Sequence, residues 1–192
     1  MQEINPKKIL LHTCCAPCFA YPSIALREEG YDVISYFYNP NISEETEYEK
    51  RKEELRKYCK KEGFKVIFEP WQNENFVNIS KGLEDEPEKG VRCSKCFNLR
   101  LTQTAKKALG LGIKNFSTTL TVSPHKVSKQ IFAEGERAQL LFENKAIFIP
   151  FDFKKKDGFK KSNEIANREN MYRQNYCGCI FSKNASLIKQ NQ

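Results

Sequence analysis

A chain of 192 residues has the length of one ordinary domain, enough to bury a hydrophobic core but short for two independent ones. A composition of 40% hydrophobic and 29% charged residues is typical of a globular protein, and the absence of any run near the ~18 apolar residues of a transmembrane helix excludes an integral membrane protein. The net charge of +8 favours a polyanionic partner.

Short apolar runs alternate with helix-like stretches over the first 150 residues. The predicted strands are 8–13, 32–38, 64–68, 115–121 and 146–149. The predicted helices are 21–29, 44–62, about 94–109, and one that begins with Ser123 as N-cap and Pro124 at its first position. This alternation predicts the α/β class, with a doubly wound, mainly parallel sheet covered by helices on both faces.

The composition changes near residue 150. We expect a single domain over 1–192, with an α/β core over 1–150 and a basic C-terminal appendage over 151–192. The appendage holds nine Lys or Arg against four Asp or Glu, and so carries +5 of the net charge. Because it also contains two cysteines, we expect it to be partly helical and to complete the functional site.

Cysteine is the residue type that says most about function. The apolar run 9–11 is too short for a signal-peptide core, so we expect a cytoplasmic protein, in which metal binding or thiol chemistry explains many cysteines better than disulfides do. Cys59 shares a helix face with Leu55 and is predicted to lie in the core. The other seven of the eight form three groups: Cys14, Cys15 and Cys18; Cys93 and Cys96; Cys177 and Cys179.

The first two groups favour a metal centre. Cys14 and Cys15 follow the first strand, where ligands bind in open α/β sheets. Cys93 and Cys96 lie at a helix start, whose dipole is expected to lower thiol pKa values. Alone, this second pair could be a redox pair or half of a zinc site, but four thiolates can hold zinc or an iron–sulfur cluster. A structural zinc gains nothing from a ligand crevice, so a functional cofactor is favoured.

The remaining thiols leave alternatives open. Cys15 and Cys18 at a helix start could form a thioredoxin-like dithiol. Cys177 and Cys179, separated by one glycine, could form a strained redox-active disulfide or bind a second metal.

Other polar residues near strand ends have two interpretations each. His12 ends a strand and is predicted to be a core residue. Asp152 follows the fifth strand and belongs either to a solvated charge run or to an open iron site. Tyr172 and Arg173 belong to a stretch of alternating cations and aromatics, which suits unstacked nucleotides but also occurs in ordinary cores.

Five motifs together resemble the QueH family of cobalamin-independent epoxyqueuosine reductases, over nearly the whole chain. They are Leu10-Leu-His-Thr-Cys-Cys-Ala-Pro-Cys18, Phe37-Tyr-Asn-Pro-Asn41, Arg92-Cys-Ser-Lys-Cys-Phe97, Thr118-Thr-Leu-Thr-Val-Ser-Pro124 and Tyr172-Arg-Gln-Asn-Tyr-Cys-Gly-Cys179. The resemblance implies reduction of epoxyqueuosine at the wobble position of tRNA to queuosine, the last step of queuosine biosynthesis. It also implies a fold similar to the PP-loop nucleotide-binding domains, but without the glycine-rich loop that would predict ATP.

The resemblance also implies site residues and partners. Its [4Fe-4S] ligands map onto Cys14, Cys15, Cys93 and Cys96, and its C-terminal redox or metal-binding pair maps onto Cys177 and Cys179. Cys18 and Asp152 match further motif positions and, with that pair, are candidates for an adjacent mononuclear iron. The partners are epoxyqueuosine-containing tRNA and an electron donor that the sequence does not identify. Expected tRNA contacts are Lys154, Lys155, Lys156, Lys160, Lys161, Tyr172 and Arg173.

Two functions of other classes compete with this one. The chain could be a thiol–disulfide oxidoreductase that uses Cys15 and Cys18, or a zinc-stabilised RNA-binding module without catalysis. Both predict a colourless protein, whereas an iron–sulfur protein is brown.

Overall fold

The computed structural model describes residues 7–190, which form one parallel sheet flanked by helices. The strands are β1 (Lys7–His12), β2 (Tyr31–Phe37), β3 (Lys65–Phe68), β4 (Asn115–Thr118) and β5 (Ile147–Phe148). Their order is β3-β2-β1-β4-β5, with every pair parallel. The prediction of a doubly wound α/β fold is therefore confirmed.

Seven α-helices connect and extend the strands within the described residues. They are α1 (Ala16–Glu28), α2 (Glu45–Glu62), α3 (Asn73–Ser80), α4 (Val91–Gly110), α5 (Ser128–Leu141), α6 (Gly158–Arg168) and α7 (Ile180–Gln190). None of these helices has both the length and the apolar character needed to cross a membrane.

The sheet separates two hydrophobic clusters, because successive side chains of a strand point to opposite faces. Ile9 and Leu11 of β1 belong to a cluster that includes residues of α1, α2 and α6. Leu10 belongs to the other cluster, which includes residues of α4 and α5. All three side chains are fully buried, so β1 is the central strand of the core.

The strand order reverses between β1 and β4, and this switch point creates a crevice beyond the carboxyl ends of the two strands. β1 ends at His12 and β4 ends at Thr118, and their side chains meet with His12 Nδ1 2.8 Å from Thr118 Oγ1. His12 is fully buried, which confirms its prediction as a core residue. Whatever follows these two strands faces the crevice.

Several predicted bounds were wrong. The fourth strand ends at Thr118 instead of 121, since the Thr118 hydroxyl accepts a hydrogen bond from the Leu120 amide and starts a 3-10 turn. The next helix begins at Ser128, because the Ser123 hydroxyl accepts from His125 N in a turn that precedes α5. Helix α3, in a stretch where no element was predicted, was missed.

The basic segment after residue 150 contributes to the main core. Phe153, Ile165 and Met171 are buried in the same cluster as β1 and α1. Helix α6 packs on α1, which places its amino-terminal half beside the crevice. The same cluster contains Cys59, which is fully buried as predicted.

Candidate metal centre

Three thiols meet at the switch point. Cys14 follows β1, Cys15 is the N-cap of α1, and Cys18 lies in the first turn of that helix. Their sulfur atoms all lie within 4.8 Å of one another, and the Cys14 and Cys15 sulfurs are 3.9 Å apart. Pro17 favours a helix start directly after the strand, since its fixed φ suits the first turn. The strand–helix junction therefore gathers these thiols.

The three thiols share negative charge unequally. Hydrogen bonds from Cys15 and Cys18 hold the pKa of Cys14 well below its usual value, and nearby Arg100 and Lys126 add to that effect. The hydrogen bond to Cys14 raises the pKa of Cys15 to about 12, and the pKa of Cys18 is raised for the same reason. A soft metal ion binds thiolates, so its binding to these three sulfurs would release the protons that they still carry.

The Cys177–Cys179 loop is held by side chains from elsewhere in the fold. Arg51 on α2 donates from Nη1 to the Cys177 carbonyl at 3.1 Å. The Ser43 amide donates to the Gly178 carbonyl at 3.1 Å. Gly178 has φ +117°, and a Cβ atom there would lie 2.9 Å from Ile42 and 3.2 Å from Arg51, so only glycine fits.

Cys93 and Cys96 line a small cavity of about 30 Å³ together with Cys177 and Cys179. Burial raises the pKa of Cys93 and raises that of Cys96 to about 12. The expectation that the helix start would lower these pKa values is thus wrong, because loss of hydration outweighs the helix dipole here. Cys93 and Cys96 lie outside the compact group of Cys14, Cys15 and Cys18.

A larger cavity of about 350 Å³ opens beside the three clustered thiols. Its lining comes from the α1 start, the turn after β4, α6 and the segment 173–177. The two cavities adjoin, because both are lined by Glu88, His125, Lys126 and Cys177. Cys177 therefore connects the thiols of the amino-terminal loop with those of α4.

The cavity walls carry polar atoms that make no hydrogen bond within the described chain. Seven buried side-chain nitrogen or oxygen atoms lack such a partner. One of them, Thr102 Oγ1, lies outside both cavities. The other six belong to cavity-lining residues, namely Asn41, Arg51, Arg100, Gln130, Ser162 and Gln174. Since buried polar groups are normally paired, this concentration indicates a polar ligand site.

Sequence reasoning missed three cations that face this site. Arg51 and Arg100 are each 1% exposed and line the larger cavity, and Lys126 lines both cavities. A signal for Arg100 was present, since it follows Cys93 and Cys96 on α4 by seven and four residues and so shares their helix face. Arg51 is distant in sequence from every cysteine of the site and gave no such signal.

The other predicted site residues have different surroundings. Asp152 accepts hydrogen bonds from Ser128 Oγ at 3.0 Å and from the Lys154 amide, and it lines neither cavity. The Tyr172 hydroxyl donates to Glu47 at 2.9 Å, and Lys50 lies over the Tyr172 ring. The structure therefore does not bring Asp152 to the thiols, and its part in iron binding stays a prediction.

Of the expected tRNA contacts, Arg173 alone is among the residues that line the larger cavity. Arg173 is exposed at the cavity wall and donates to Asn163 of α6 at 2.8 Å. Four lysines before and within α6 are exposed, namely Lys155, Lys156, Lys160 and Lys161. Lys154 is half-buried and donates to the Lys126 carbonyl.

The sequence and the fold of this chain are similar to those of known proteins. The family model described as epoxyqueuosine reductase QueH matches residues 9–185. The chain is 38% identical to an epoxyqueuosine reductase QueH of Histophilus somni, covering 91% of this chain and 72% of that protein. It is 37% identical to one of Dehalococcoides mccartyi, covering 96% of this chain and 97% of that protein. Among solved structures, the fold is similar to the U34-tRNA thiolase NcsA from Methanococcus maripaludis with its [4Fe-4S] cluster, at a TM-score of 0.57 and 14% identity, covering 97% of this chain and 66% of the thiolase.

Proposed function

This chain belongs to the QueH family of epoxyqueuosine reductases, and on that premise we propose that it reduces epoxyqueuosine at the wobble position of tRNA to queuosine. Removal of the epoxide oxygen consumes two electrons and two protons and releases water. The site must therefore accept an oxygen atom and receive electrons from a donor.

The donor set of the two cavities fits an iron–sulfur centre. Seven thiols surround the adjoining cavities, whose linings include the cations Arg51, Arg100 and Lys126, and thiolate ligation is what iron–sulfur clusters require. We assign Cys14 and Cys15 from one loop and Cys93 and Cys96 from α4 to a [4Fe-4S] cluster. When bound, such a centre supplies single electrons, and an iron with an open position polarises an oxygen atom as a Lewis acid.

The other thiols lie where a second redox element is needed. Cys18 lies beside Cys14 and Cys15, and Cys177 lines both cavities. We assign Cys177 and Cys179 to a redox-active pair or to the ligands of an adjacent iron, with Cys18 as a further ligand. Arg51 keeps the carbonyl of Cys177 in place, which orients that thiol toward the shared wall of the cavities.

The larger cavity suits a nucleoside taken out of the anticodon stack. Its volume of about 350 Å³ falls within the ~300–1,000 Å³ range of small-molecule sites. A wobble nucleotide must leave the stack to reach buried thiols. Arg173 at the wall can stack on or clamp the nucleotide, and the exposed lysines next to α6 can contact phosphates.

The observation that carries this proposal is the gathering of seven thiols around adjoining cavities at the switch point of the sheet, in a member of this family. The test is an anaerobic assay of epoxyqueuosine-containing tRNA with a strong one-electron reductant, followed by nucleoside analysis. We expect conversion to queuosine by a brown protein with broad absorption near ~400 nm, as thiolate-bound iron–sulfur clusters give. A colourless, fully folded protein that leaves the nucleoside unchanged under these conditions would refute the proposal.

A further inference from the structure

Arg100 is a buried cation without an anionic side chain to balance it. Its side chain is 1% exposed, and none of the nine salt bridges among the described residues includes it. Its guanidinium donates to His12 Nε2 at 3.2 Å and to Asn39 Oδ1 at 2.5 Å. Neither partner is an acid, so neither supplies a negative charge.

Arg51 is a buried cation that is paired with a carboxylate, which is the usual arrangement in proteins. It is as deeply buried as Arg100, but its Nε donates to the Glu47 carboxylate at 2.6 Å. A buried charge without an opposite charge is costly, and proteins rarely keep one unless something compensates it. The charge of Arg100 therefore needs an anion that lies elsewhere in the site.

The thiols are the anions that Arg100 faces. Arg100 lies on the same face of α4 as Cys93 and Cys96, and it lines the larger cavity. Its Nη1 atom is buried and makes no hydrogen bond within the described chain. As metal ligands these thiols are thiolates, and they supply the negative charge that Arg100 does not find in a carboxylate.

Lys126 faces the same thiols from the turn before α5. It lines both cavities and also forms no salt bridge within the described chain. The two cavities that Lys126 lines also hold the seven thiols of the site. Two cations from different elements thus converge on one group of sulfurs.

We propose that Arg100 and Lys126 set the reduction potential of the metal centre held by these thiols, by favouring the state that carries one more electron. The step is the uptake of one electron from an external low-potential one-electron reductant, in which no covalent bond forms or breaks and the net charge of the centre falls by one. Fixed positive charge and N–H donors next to the sulfurs stabilise that added electron. The inference rests on the iron–sulfur centre of the proposed function. In it both cations are positioning residues, which act through their electrostatic field on the centre and are not catalytic residues.

The test is a potentiometric titration of the iron-loaded protein, followed by electron paramagnetic resonance, with iron and sulfide analysis of every variant. We expect Arg100→Gln and Lys126→Gln each to disfavour reduction at least tenfold, which for a one-electron couple is a shift of about 59 mV to lower potential. Arg100→Lys keeps the charge and should remain close to the wild type. The control Lys129→Gln removes an exposed lysine that lines neither cavity, and should shift nothing.

The outcomes separate the two ideas. Arg100 is fully packed, so if Arg100→Gln does not fold, the less buried Lys126→Gln decides. If both neutral variants contain a full cluster and change the equilibrium less than twofold, the inference is wrong while the cluster of the proposed function stands. If the wild type takes up no cluster, the proposed function fails and the inference with it.

Discussion

The Cys14–Cys18 loop and the Cys177–Cys179 loop bring thiols to the same cavity by different means. The first is placed by regular structure, because a central strand ends and a helix begins within four residues. The second has no strand to support it and depends on Arg51, Ser43 and the single conformation open to Gly178. The first loop therefore holds its thiols at fixed positions, whereas the second loop can be displaced by small changes without loss of the fold.

The largest effect is expected when one of the four thiols assigned to the cluster is removed, two of them from the first loop and two from α4. Cys14→Ala, Cys15→Ala, Cys93→Ala and Cys96→Ala should each lose most of the iron and all turnover, because each removes one of the four thiolates assigned to the cluster. Iron analysis and the nucleoside assay measure both effects. Cys59→Ala is the control, since Cys59 lies in the core and should retain iron and activity. Full iron content in all four variants would contradict the ligand assignment.

The second prediction separates the two loops directly. Cys177→Ser or Cys179→Ser should abolish turnover but keep most of the cluster, because these thiols belong to the adjacent centre. The measurement is the electron paramagnetic resonance signal of the reduced protein beside the nucleoside assay. Loss of the whole cluster signal would show instead that the two thiols are cluster ligands. The two loops would then have the same role.

The third prediction tests how sensitive the second loop is to its backbone. Gly178→Ala introduces a Cβ at φ +117°, 2.9 Å from Ile42, and should reduce turnover roughly tenfold, equivalent to about 1.4 kcal/mol in the barrier. Iron content should not change. Gly82→Ala is a matched control, because Gly82 also has a positive φ of +73° but nothing within 4 Å of the added atom. Equal losses in both variants would mean that backbone strain at a positive φ, and not the close contact of the new Cβ with Ile42, reduces turnover.

The smallest effect is expected from charges outside both loops. Replacement of the exposed lysines 155, 156, 160 and 161 by glutamine should weaken tRNA binding, because each lysine that neutralises a phosphate releases counterions from the tRNA. The dependence of log affinity on log salt should flatten by about 0.7–0.9 for every phosphate that is no longer neutralised, with metal content unchanged. Arg173→Ala should reduce turnover more than affinity, because Arg173 lies at the cavity wall.

Four lysines at the amino ends of the strands, opposite the crevice, are the control for this lysine variant. Lys7, Lys65, Lys114 and Lys145 are exposed and lie at the amino ends of β1, β3, β4 and β5, away from the crevice. Their replacement should leave the salt dependence as it is. If both lysine variants bind tRNA alike, the tRNA approaches from a side other than α6.

The sequence predicted the sheet and the cysteine groups because both follow from local rules. Apolar runs of strand length and thiols directly after them are visible within a few residues. The turn after β4 was not predictable in this way, since Thr119 and Thr121 favour a strand locally but the chain must bend there over the switch point. Helix α3 spans only 8 residues, too few for a helical periodicity to be recognised in the sequence.

Long-range contacts also explain what was missed in the site. Arg51 contacts Cys177 across 126 positions of the chain, and no local pattern reports such a contact. The pKa values of Cys93 and Cys96 were predicted in the wrong direction because burial, which the sequence does not state, dominates over the helix dipole.

The position of the site at both ends of the chain has a consequence during protein synthesis. Cys18 leaves the ribosome 161 residues before Cys179. At a synthesis rate of about 5–20 residues per second, roughly 8–30 s pass between the synthesis of Cys18 and that of Cys179, the last thiol of the site. β4 also pairs with β1 only after residue 118 has been made, so the switch point does not exist in the early nascent chain. We therefore expect a metal to enter the site only after Cys179 has been made, and we expect Cys14, Cys15 and Cys18 to need protection from oxidation until then.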